Sequence, residues 1–230
     1  MRQLALDIGV GRGPTLANFL AGPNEAVVQH LRLWIGHDGG PGRALRSPVP
    51  TYLWGPSASG KSHLLQAVRS ALLEQGAVVG WLDASMAEPP PYDERWAAVI
   101  LDDVHLYTAV QQHAAFSWFV QAQTAHQWVL AAGAHVPTQL QLREDLRTRL
   151  GWGHVYGLQV LDESARRAVL RQAADARGIF LGDDVMDYIL HRFSRDLGSL
   201  MQLLDELDTY ALAAQRGITI PLLKAMLHDA

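Results

Sequence analysis

The sequence predicts an α/β fold in which a parallel five-stranded sheet is flanked by helices and followed by a small all-helical domain. Three observations lead to this prediction. A phosphate-loop motif lies between a strand and a helix, short apolar runs alternate with helical patterns as far as residue 160, and only helical patterns follow. We therefore expect a flexible N-terminal tail at 1–14, an α/β domain at 15–160 and a helical domain at 161–230.

The first of these observations is a complete phosphate-binding loop. The pattern G-x-x-x-x-G-K-[ST] is matched by Gly55, Pro56, Ser57, Ala58, Ser59, Gly60, Lys61 and Ser62. Its glycines let the backbone turn tightly, so that successive N–H groups form a concavity that binds anions. In such a loop the lysine reaches the β- and γ-phosphates and the serine hydroxyl ligates Mg²⁺, so the motif predicts bound ATP or ADP with Mg²⁺. We assign His63, which follows directly, to the same nucleotide-binding stretch.

Strands and helices are placed by apolar patterning and by their boundary residues. The predicted strands are 51–54, 77–82, 97–101, 128–132 and 155–160. Helices are predicted at 25–36, from the loop through Leu72, at 109–125, 143–150 and 163–177, from Asp183, from Leu197 to Ala211, and from Thr219. We expect Asn24, Asp162, Asp183 and Thr219 to cap the helices that follow them, and residues 36–50, rich in Gly and Pro, to form a surface loop.

An acidic pair follows the buried strand at 97–101. Asp102 and Asp103 therefore lie at the carboxyl end of a parallel strand, where open α/β sheets bind their ligands. We predict that Asp102 holds Mg²⁺, through water, and that Asp103 occupies the position of a catalytic base. Because Asp is one methylene shorter than Glu, we expect slow intrinsic hydrolysis.

Composition excludes several classes of protein. The 230 residues are 49% hydrophobic and 18% charged, which is typical of a globular protein with a core. No apolar run has transmembrane length and no secretory signal is present, so we expect a cytoplasmic protein. The chain has no Cys, and its ten His show no metal-ligand spacing. A net charge of −4 argues against a protein that grips DNA phosphates by itself, or one that reads DNA sequence directly.

The order of these motifs resembles that of AAA+ ATPases, and of the replication initiator DnaA in particular. Residues 145–153, D-L-R-T-R-L-G-W-G, are similar to the segment that carries the arginine finger in DnaA, which implies that role for Arg149. Residues 195–200, R-D-L-G-S-L, are similar to the sensor 2 motif, which implies that Arg195 contacts the phosphates of the chain's own nucleotide. The resemblance covers roughly residues 15–230 and implies the strand order 5-1-4-3-2.

One position departs from the DnaA pattern. Ala134 stands where DnaA has the sensor 1 Asp, and alanine cannot orient a water or sense a γ-phosphate. His135 is a candidate substitute, although a histidine on a solvated loop is the simpler interpretation. With Asp103 in place of Glu, this departure predicts a weak intrinsic ATPase and a nucleotide, ADP, held as a structural ligand.

The N-terminal hexapeptide 3–8 adds a second resemblance. Gln3, Leu4, Leu6 and Ile8 are similar to the Q-L-x-L-x-[LF] peptides that dock on the sliding clamp of DNA polymerase III. A DnaA-like module with such a peptide, and with the chain stopping at Ala230 where DnaA continues into its DNA-binding domain, resembles the Hda family of DnaA regulators. The resemblance implies clamp and DnaA as partners, with Arg149 stimulating hydrolysis of DnaA-bound ATP in trans.

Two alternatives remain open at this point. The phosphate loop, the acidic pair and Arg149 would serve equally well in an autonomous AAA+ ATPase that forms a homo-oligomer, such as a helicase loader or remodelling motor. Such a motor does not need residues 3–8, whereas the regulator does. An initiator fragment would bind origin DNA, which the net charge disfavours.

Overall fold

The computed structural model describes residues 13–19, 21–36, 49–193, 197–214 and 216–229. The predicted tail is therefore outside the described residues except for its last two positions. The loop predicted at 36–50 is described only at its ends.

A single parallel sheet forms the centre of the α/β part. Its strands are β1 (Thr51–Trp54), β2 (Val78–Leu82), β3 (Trp96–Leu101), β4 (Trp128–Gly133) and β5 (His154–Gly157). They lie in the order β2-β3-β4-β1-β5, and each neighbouring pair is parallel. The five strands and their predicted order are confirmed. The carboxyl ends of β3, β4 and β1 consequently lie side by side, which is where a ligand crevice is expected.

Helices cover both faces of the sheet. The described helices are α1 (Glu25–Ile35), α2 (Lys61–Glu74), α3 (Ala109–Thr124), α4 (Glu144–Leu150), α5 (Glu163–Ala176), α6 (Asp183–Arg192), α7 (Leu197–Ala214) and α8 (Ile220–Asp229). Successive strand residues point to opposite faces, so Ile100 packs in the core with α1 and α2 while Leu101 packs with α3 and α4. Both faces are apolar, which explains why the strands are continuous hydrophobic runs.

The last four helices form a domain with its own core. Leu170, Met186, Leu204 and Leu223 come from four different helices and meet in one buried cluster. Two predicted caps are confirmed here. Asp162 accepts the Ala165 N–H at 2.7 Å, and Thr219 accepts the Leu222 N–H at 3.4 Å.

Two other predicted caps make no capping bond. Asn24 is at the N-cap position of α1, as predicted, but its side chain instead binds the backbone of Gln159. Asp183 is the first residue of α6 rather than its cap, which is Gly182, and the Asp183 carboxylate accepts from Arg171 at 2.6 Å. In both cases the side chain that local preference predicts as a helix cap forms a tertiary hydrogen bond instead.

The last strand is shorter than predicted. It ends at Gly157 rather than at residue 160, and the next residue, Leu158, is buried. The Leu158 N–H still donates to Trp54 at 2.7 Å, and its carbonyl then approaches Gly55. In the part of the chain that the structure describes, no helix is both long and apolar enough to cross a bilayer.

Candidate functional site

The phosphate loop joins β1 to α2, as predicted. Gly60 is the N-cap of α2 and has φ +91°, a left-handed conformation that favours glycine. Gly55 is fixed by a close approach instead, since a Cβ there would lie 2.5 Å from the Leu158 carbonyl oxygen. The two glycines therefore curl the loop over the start of α2, whose N–H groups and dipole favour an anion.

Lys61 lies within this loop and is 7% exposed. Its Nζ donates to the carbonyl oxygens of Gly55 at 2.9 Å and Pro56 at 2.8 Å. Burial lowers the pKa of Lys61, while the carboxylates of Asp103 and Asp102 oppose this shift. The ammonium group is thus held at the floor of the loop, between backbone carbonyls and the acidic pair.

The acidic pair follows β3 directly. Asp102 is buried, accepts a hydrogen bond from the Ser62 hydroxyl and accepts the Asp103 N–H at 2.9 Å. Burial raises the pKa of Asp102, and the bond from Ser62 opposes that shift. The structure thus brings together the two oxygen ligands predicted for Mg²⁺, the Ser62 hydroxyl and the Asp102 carboxylate. Asp103 has φ +49°, which is strained for a non-glycine residue and is typical of functional sites.

These groups line a cavity of about 620 Å³, within the range of small-molecule sites. Its lining comes from the N-terminal segment, the loop and α2, the chain after β3, β4 and β5, and the helical domain. The residues are Pro14, Asn18, Phe19, Asn24, Ser57, Ala58, Ser59, Gly60, Lys61, Ser62, His63, Gln66, Asp103, His105, Leu106, Ala134, Val160, Leu161 and Arg166. We call it the phosphate cavity. His63, a predicted nucleotide-binding residue, lines the cavity. The His63 Nε2 donates to the Thr15 carbonyl at 3.1 Å, and burial lowers the pKa of His63.

The donor set of the cavity fits a nucleotide phosphate. The Ser59 hydroxyl is buried in the loop without a hydrogen-bond partner, and so are Nε and Nη1 of Arg166. Among the described residues no group of three or more His, Cys, Asp or Glu could hold a metal by itself. Mg²⁺ is usually bound through one or two protein ligands, here the candidates Ser62 and Asp102, and its coordination is completed by phosphate and water.

Of the two residues considered for the sensor 1 position, one lines the phosphate cavity. Ala134 lines the cavity, but the His135 side chain is exposed and is not part of the lining. His105 lines it instead, with its Nδ1 buried and unpartnered, 4.0 Å from Asp103 Oδ1. Burial lowers the pKa of His105, opposed by Asp103. Sequence reasoning missed His105, although its place two residues after the acidic pair was a usable signal.

Arg149 lies on a different surface. It is on α4, with its guanidinium 5.3 Å from the Phe116 ring centroid. An open cleft of about 960 Å³ surrounds it. The cleft, here called the Arg149 surface, is lined by Phe116, Arg143, Glu144, Asp145, Thr148, Arg149, Gly151 and Trp152. It shares no residue with the phosphate cavity, so Arg149 is no part of the chain's own nucleotide site.

Several predicted site residues lie outside the described residues. They are Gln3, Leu4, Leu6, Ile8 and Arg195. Sequence reasoning in turn missed Asn18, Phe19, Asn24, Gln66 and Arg166, which line the phosphate cavity. Gln66 lies one helical turn after Ser62 on α2, so helix periodicity could have indicated it, whereas the other four come from segments distant in sequence.

Solved structures share this fold at low sequence identity. Domain III of the replication initiation protein DnaA from Thermotoga maritima matches with a TM-score of 0.72 and 18% identity, over 99% of this chain and 98% of that one. AMPPCP-bound DnaA from Aquifex aeolicus matches with a TM-score of 0.64 and 18% identity, over 85% and 66%. The RuvB Holliday junction branch migration motor of Thermotoga maritima matches with a TM-score of 0.64 and 15% identity, over 95% and 72%.

The helical part gives the more specific result. Residues 162–227 match the family model described as Hda, lid domain. The chain therefore has the fold of DnaA domain III, and its helical domain matches the lid of the Hda family. The matched segment contains α5 to α7 and nearly all of α8, so the Hda-type lid is the helical domain with its separate core. The predicted AAA+ fold, a parallel five-stranded sheet followed by a helical lid, is confirmed.

Proposed function

We propose that this DnaA-like AAA+ protein regulates replication initiation by stimulating the hydrolysis of ATP bound to DnaA. Arg149 carries the proposal. It is the predicted arginine finger, and the structure puts it on a surface separate from the phosphate cavity, so the nucleotide it serves belongs to another molecule. The Hda-type lid supports DnaA as that molecule.

The proposed chemistry is electrostatic. The Arg149 guanidinium stabilises the negative charge on the phosphoryl group transferred in the partner's site, and such a finger contributes about 10³–10⁵ in rate. The side chain is held for this purpose by its contact with Phe116 and by its place in the last turn of α4. The neighbouring Trp152 side chain is 68% exposed and offers a flat apolar contact to the partner.

The chain's own nucleotide has a different part in the proposal. Bound Mg²⁺–ATP or Mg²⁺–ADP supplies the phosphate oxygens that the phosphate cavity is built to accept. Lys61 neutralises the charge, Ser62 and Asp102 hold the ion, and Asp103 faces the cavity as the candidate base. With Ala134 at the sensor 1 position, slow turnover and retention of ADP are expected. The Aquifex DnaA structure contains an adenine nucleotide analogue, which supports an adenine base here.

Localisation on DNA belongs to the N-terminal peptide in this proposal. Gln3, Leu4, Leu6 and Ile8 dock on the sliding clamp, with Gln3 as the polar contact and the three apolar side chains as anchors. The clamp thereby presents Arg149 to DnaA near replicating DNA.

The deciding experiment measures hydrolysis of DnaA-bound ATP in the presence of DNA-loaded clamp. The wild-type chain accelerates it, and Arg149→Ala reduces the acceleration by at least about 10³. Arg143→Ala, on the same surface, is the matched control and keeps most of the effect. Hydrolysis unaffected by the wild-type chain would contradict the proposal.

Clamp binding is tested separately by surface plasmon resonance with immobilised clamp. The double change Gln3→Ala, Leu6→Ala abolishes binding, whereas Ala5→Ser, at an unspecified position of the motif, keeps it. If the intact chain did not bind the clamp, clamp binding would be wrong. The role of Arg149 would then be decided by the hydrolysis experiment.

A second candidate function is an autonomous AAA+ ATPase that assembles as a homo-oligomer. It is favoured by the complete phosphate loop with its acidic pair, together with the open surface around Arg149, which a second copy would fill. Light scattering with and without ATP distinguishes the two functions, because the oligomer forms with ATP in the absence of DnaA.

A further inference from the structure

Arg166 is a buried cation contributed to the phosphate cavity by the lid. It lies in the first turn of α5, the helix that opens the Hda-type lid, and its side chain is 8% exposed. It is the lid's charged residue in the described lining of the cavity, which Lys61 of the loop also lines. No motif of the sequence assigns it a role.

The guanidinium of Arg166 is not satisfied by the described protein groups. Its Nε and Nη1 are buried and have no hydrogen-bond partner. Asp162 is near enough for the two charges to attract, and this contributes to its lowered pKa, which is due first to bonds from Ala165 and Ser164. That carboxylate is exposed and is already used as the cap of α5.

The other two arginines of α5 are paired. Arg167 forms ion pairs with Asp183 and Asp187, and Arg171 donates to Asp183 at 2.6 Å. Both are partly exposed, where an ion pair contributes little. Arg166 is the buried arginine of the three, so its charge needs an acceptor most, yet its Nε and Nη1 have none. Burial of an arginine charge is unfavourable unless an anion is supplied.

We infer that Arg166 binds a phosphate group of the nucleotide in the phosphate cavity and thereby fastens the lid to the bound nucleotide. The inference rests on the proposed nucleotide binding and extends it to a residue of the lid. A guanidinium presents its donors in a planar fork that matches two phosphate oxygens, which a carbonyl or hydroxyl cannot do. The two cations, Lys61 from the loop and Arg166 from the lid, then neutralise the phosphates from both domains.

We expect a change at Arg166 to affect the melting temperature differently in the free and the ADP-bound protein. In the free protein Arg166 is a buried charge without an acceptor, so replacing it by the similarly long, apolar methionine does not lower the melting temperature. In the bound protein the same change removes a charged contact, so the rise in melting temperature caused by ADP becomes smaller. A residue with a purely structural role would lower the melting temperature of the free protein and leave the rise unchanged.

The experiment compares wild type, Arg166→Met and the control Arg167→Met by calorimetric titration with ADP and by thermal unfolding with ADP or adenosine. Arg166→Met weakens ADP binding by at least about tenfold, as expected for the loss of a charged hydrogen bond. Arg167→Met keeps the wild-type affinity for ADP. Adenosine, which has no phosphate, shifts the melting temperature equally in all three proteins.

Wild-type affinity for ADP in Arg166→Met would overturn the inference while the proposed nucleotide binding stands. No ADP binding by the wild type would overturn both. A failed Arg149→Ala test leaves this inference untouched, since that residue lies outside the cavity. Arg166→Lys provides a second variant that keeps the buried charge if the methionine variant does not fold, and it also weakens ADP binding because the fork is lost.

Discussion

Ala58 holds a left-handed backbone conformation in the middle of the phosphate loop. Its φ of +62° is unfavourable for a residue with a Cβ, by roughly 1–2 kcal/mol. Asp103 carries similar strain across the cavity, with φ +49°. Strain of this kind persists where the surrounding structure fixes the backbone, and it gathers at functional sites.

Relief of this strain gives the first prediction. Ala58→Gly raises the free energy of unfolding by about 0.5–1 kcal/mol, because glycine adopts the conformation without steric conflict. Urea unfolding of the free protein measures it. Ala26→Gly, at an exposed helical position, is the control and lowers the free energy by about 0.5–1 kcal/mol. Equal losses in both variants would contradict the strained backbone at Ala58.

His30 gives a prediction about pH. Its Nε2 lies 2.9 Å from Thr51 Oγ1, and its ring lies 4.7 Å from that of His154. Burial, followed by the charge of His154, lowers the pKa of His30. The unfolded chain therefore binds more protons than the folded one as the pH falls below about 6.5, so this contribution to stability is complete above that pH and is lost below it.

His30→Gln keeps a polar partner for Thr51 and does not titrate. The loss of unfolding free energy between pH 7.5 and pH 5.5, measured in urea, is therefore smaller in His30→Gln than in the wild type. The exposed His126 is the control, and His126→Asn leaves the loss unchanged, since asparagine tolerates its φ of +53°. If His30→Gln lost as much unfolding free energy as the wild type over this pH range, groups other than His30 would cause the pH dependence.

At the scale of elements, Asn24 ties the start of the domain to the chain that follows its last strand. Its side chain donates to the Gln159 carbonyl at 3.0 Å and accepts the Gln159 N–H at 2.8 Å, across 135 residues of sequence. The residue is 4% exposed, so water cannot replace these bonds. The segment before α1 and the chain after β5 are thus held together at the rim of the phosphate cavity.

We expect Asn24→Ala to lower the free energy of unfolding by about 1–3 kcal/mol, because it removes both part-buried hydrogen bonds to the Gln159 backbone. Asn24→Asp, which keeps the acceptor and loses the donor, is expected to fall between alanine and wild type after allowance for its charge. Chemical denaturation at pH 7 measures both. A change below about 0.5 kcal/mol in Asn24→Ala would mean that the two segments are held by other contacts.

Asn24 also shows which parts of the structure a sequence can predict. The strands, most helices and the phosphate loop depend on neighbouring residues, and local patterns predicted them well. The caps at Asp162 and Thr219 are local too and are confirmed. Asn24 and Asp183 have the same capping preference, but each has a tertiary partner that competes with the helix end.

The same distinction separates the predicted site residues from the missed ones. Lys61 and Asp102 belong to patterns that can be read over a few residues. Arg166 lies in an amphipathic helix, where an arginine predicts an exposed position, and only the docking of the lid buries it. His105 follows the acidic pair but gains its place in the cavity from the turn that Asp103 makes.

At the scale of the whole molecule, the phosphate cavity and the Arg149 surface are independent. The lining of the cavity comes from the loop, the strand ends and the lid, whereas the Arg149 surface is built from α3, α4 and the residues after α4. Such a molecule can bind a nucleotide in the phosphate cavity and use the Arg149 surface to act on a nucleotide bound by another molecule. Whether that other molecule is DnaA or a second copy decides between the two functions.

A mixing experiment separates them. Lys61→Ala removes the loop cation but keeps Arg149, and Arg149→Ala keeps the phosphate cavity but removes the finger. If the chain were an autonomous oligomeric ATPase, each variant alone would be inactive and an equimolar mixture would recover part of the ATPase, since one supplies the site and the other the finger. For the proposed regulator we expect no recovery, because the finger serves DnaA. Steady-state phosphate release with ATP measures this, and recovery to about a quarter of wild-type activity, the fraction of interfaces that pair an intact site with an intact finger under random assembly, would favour the motor.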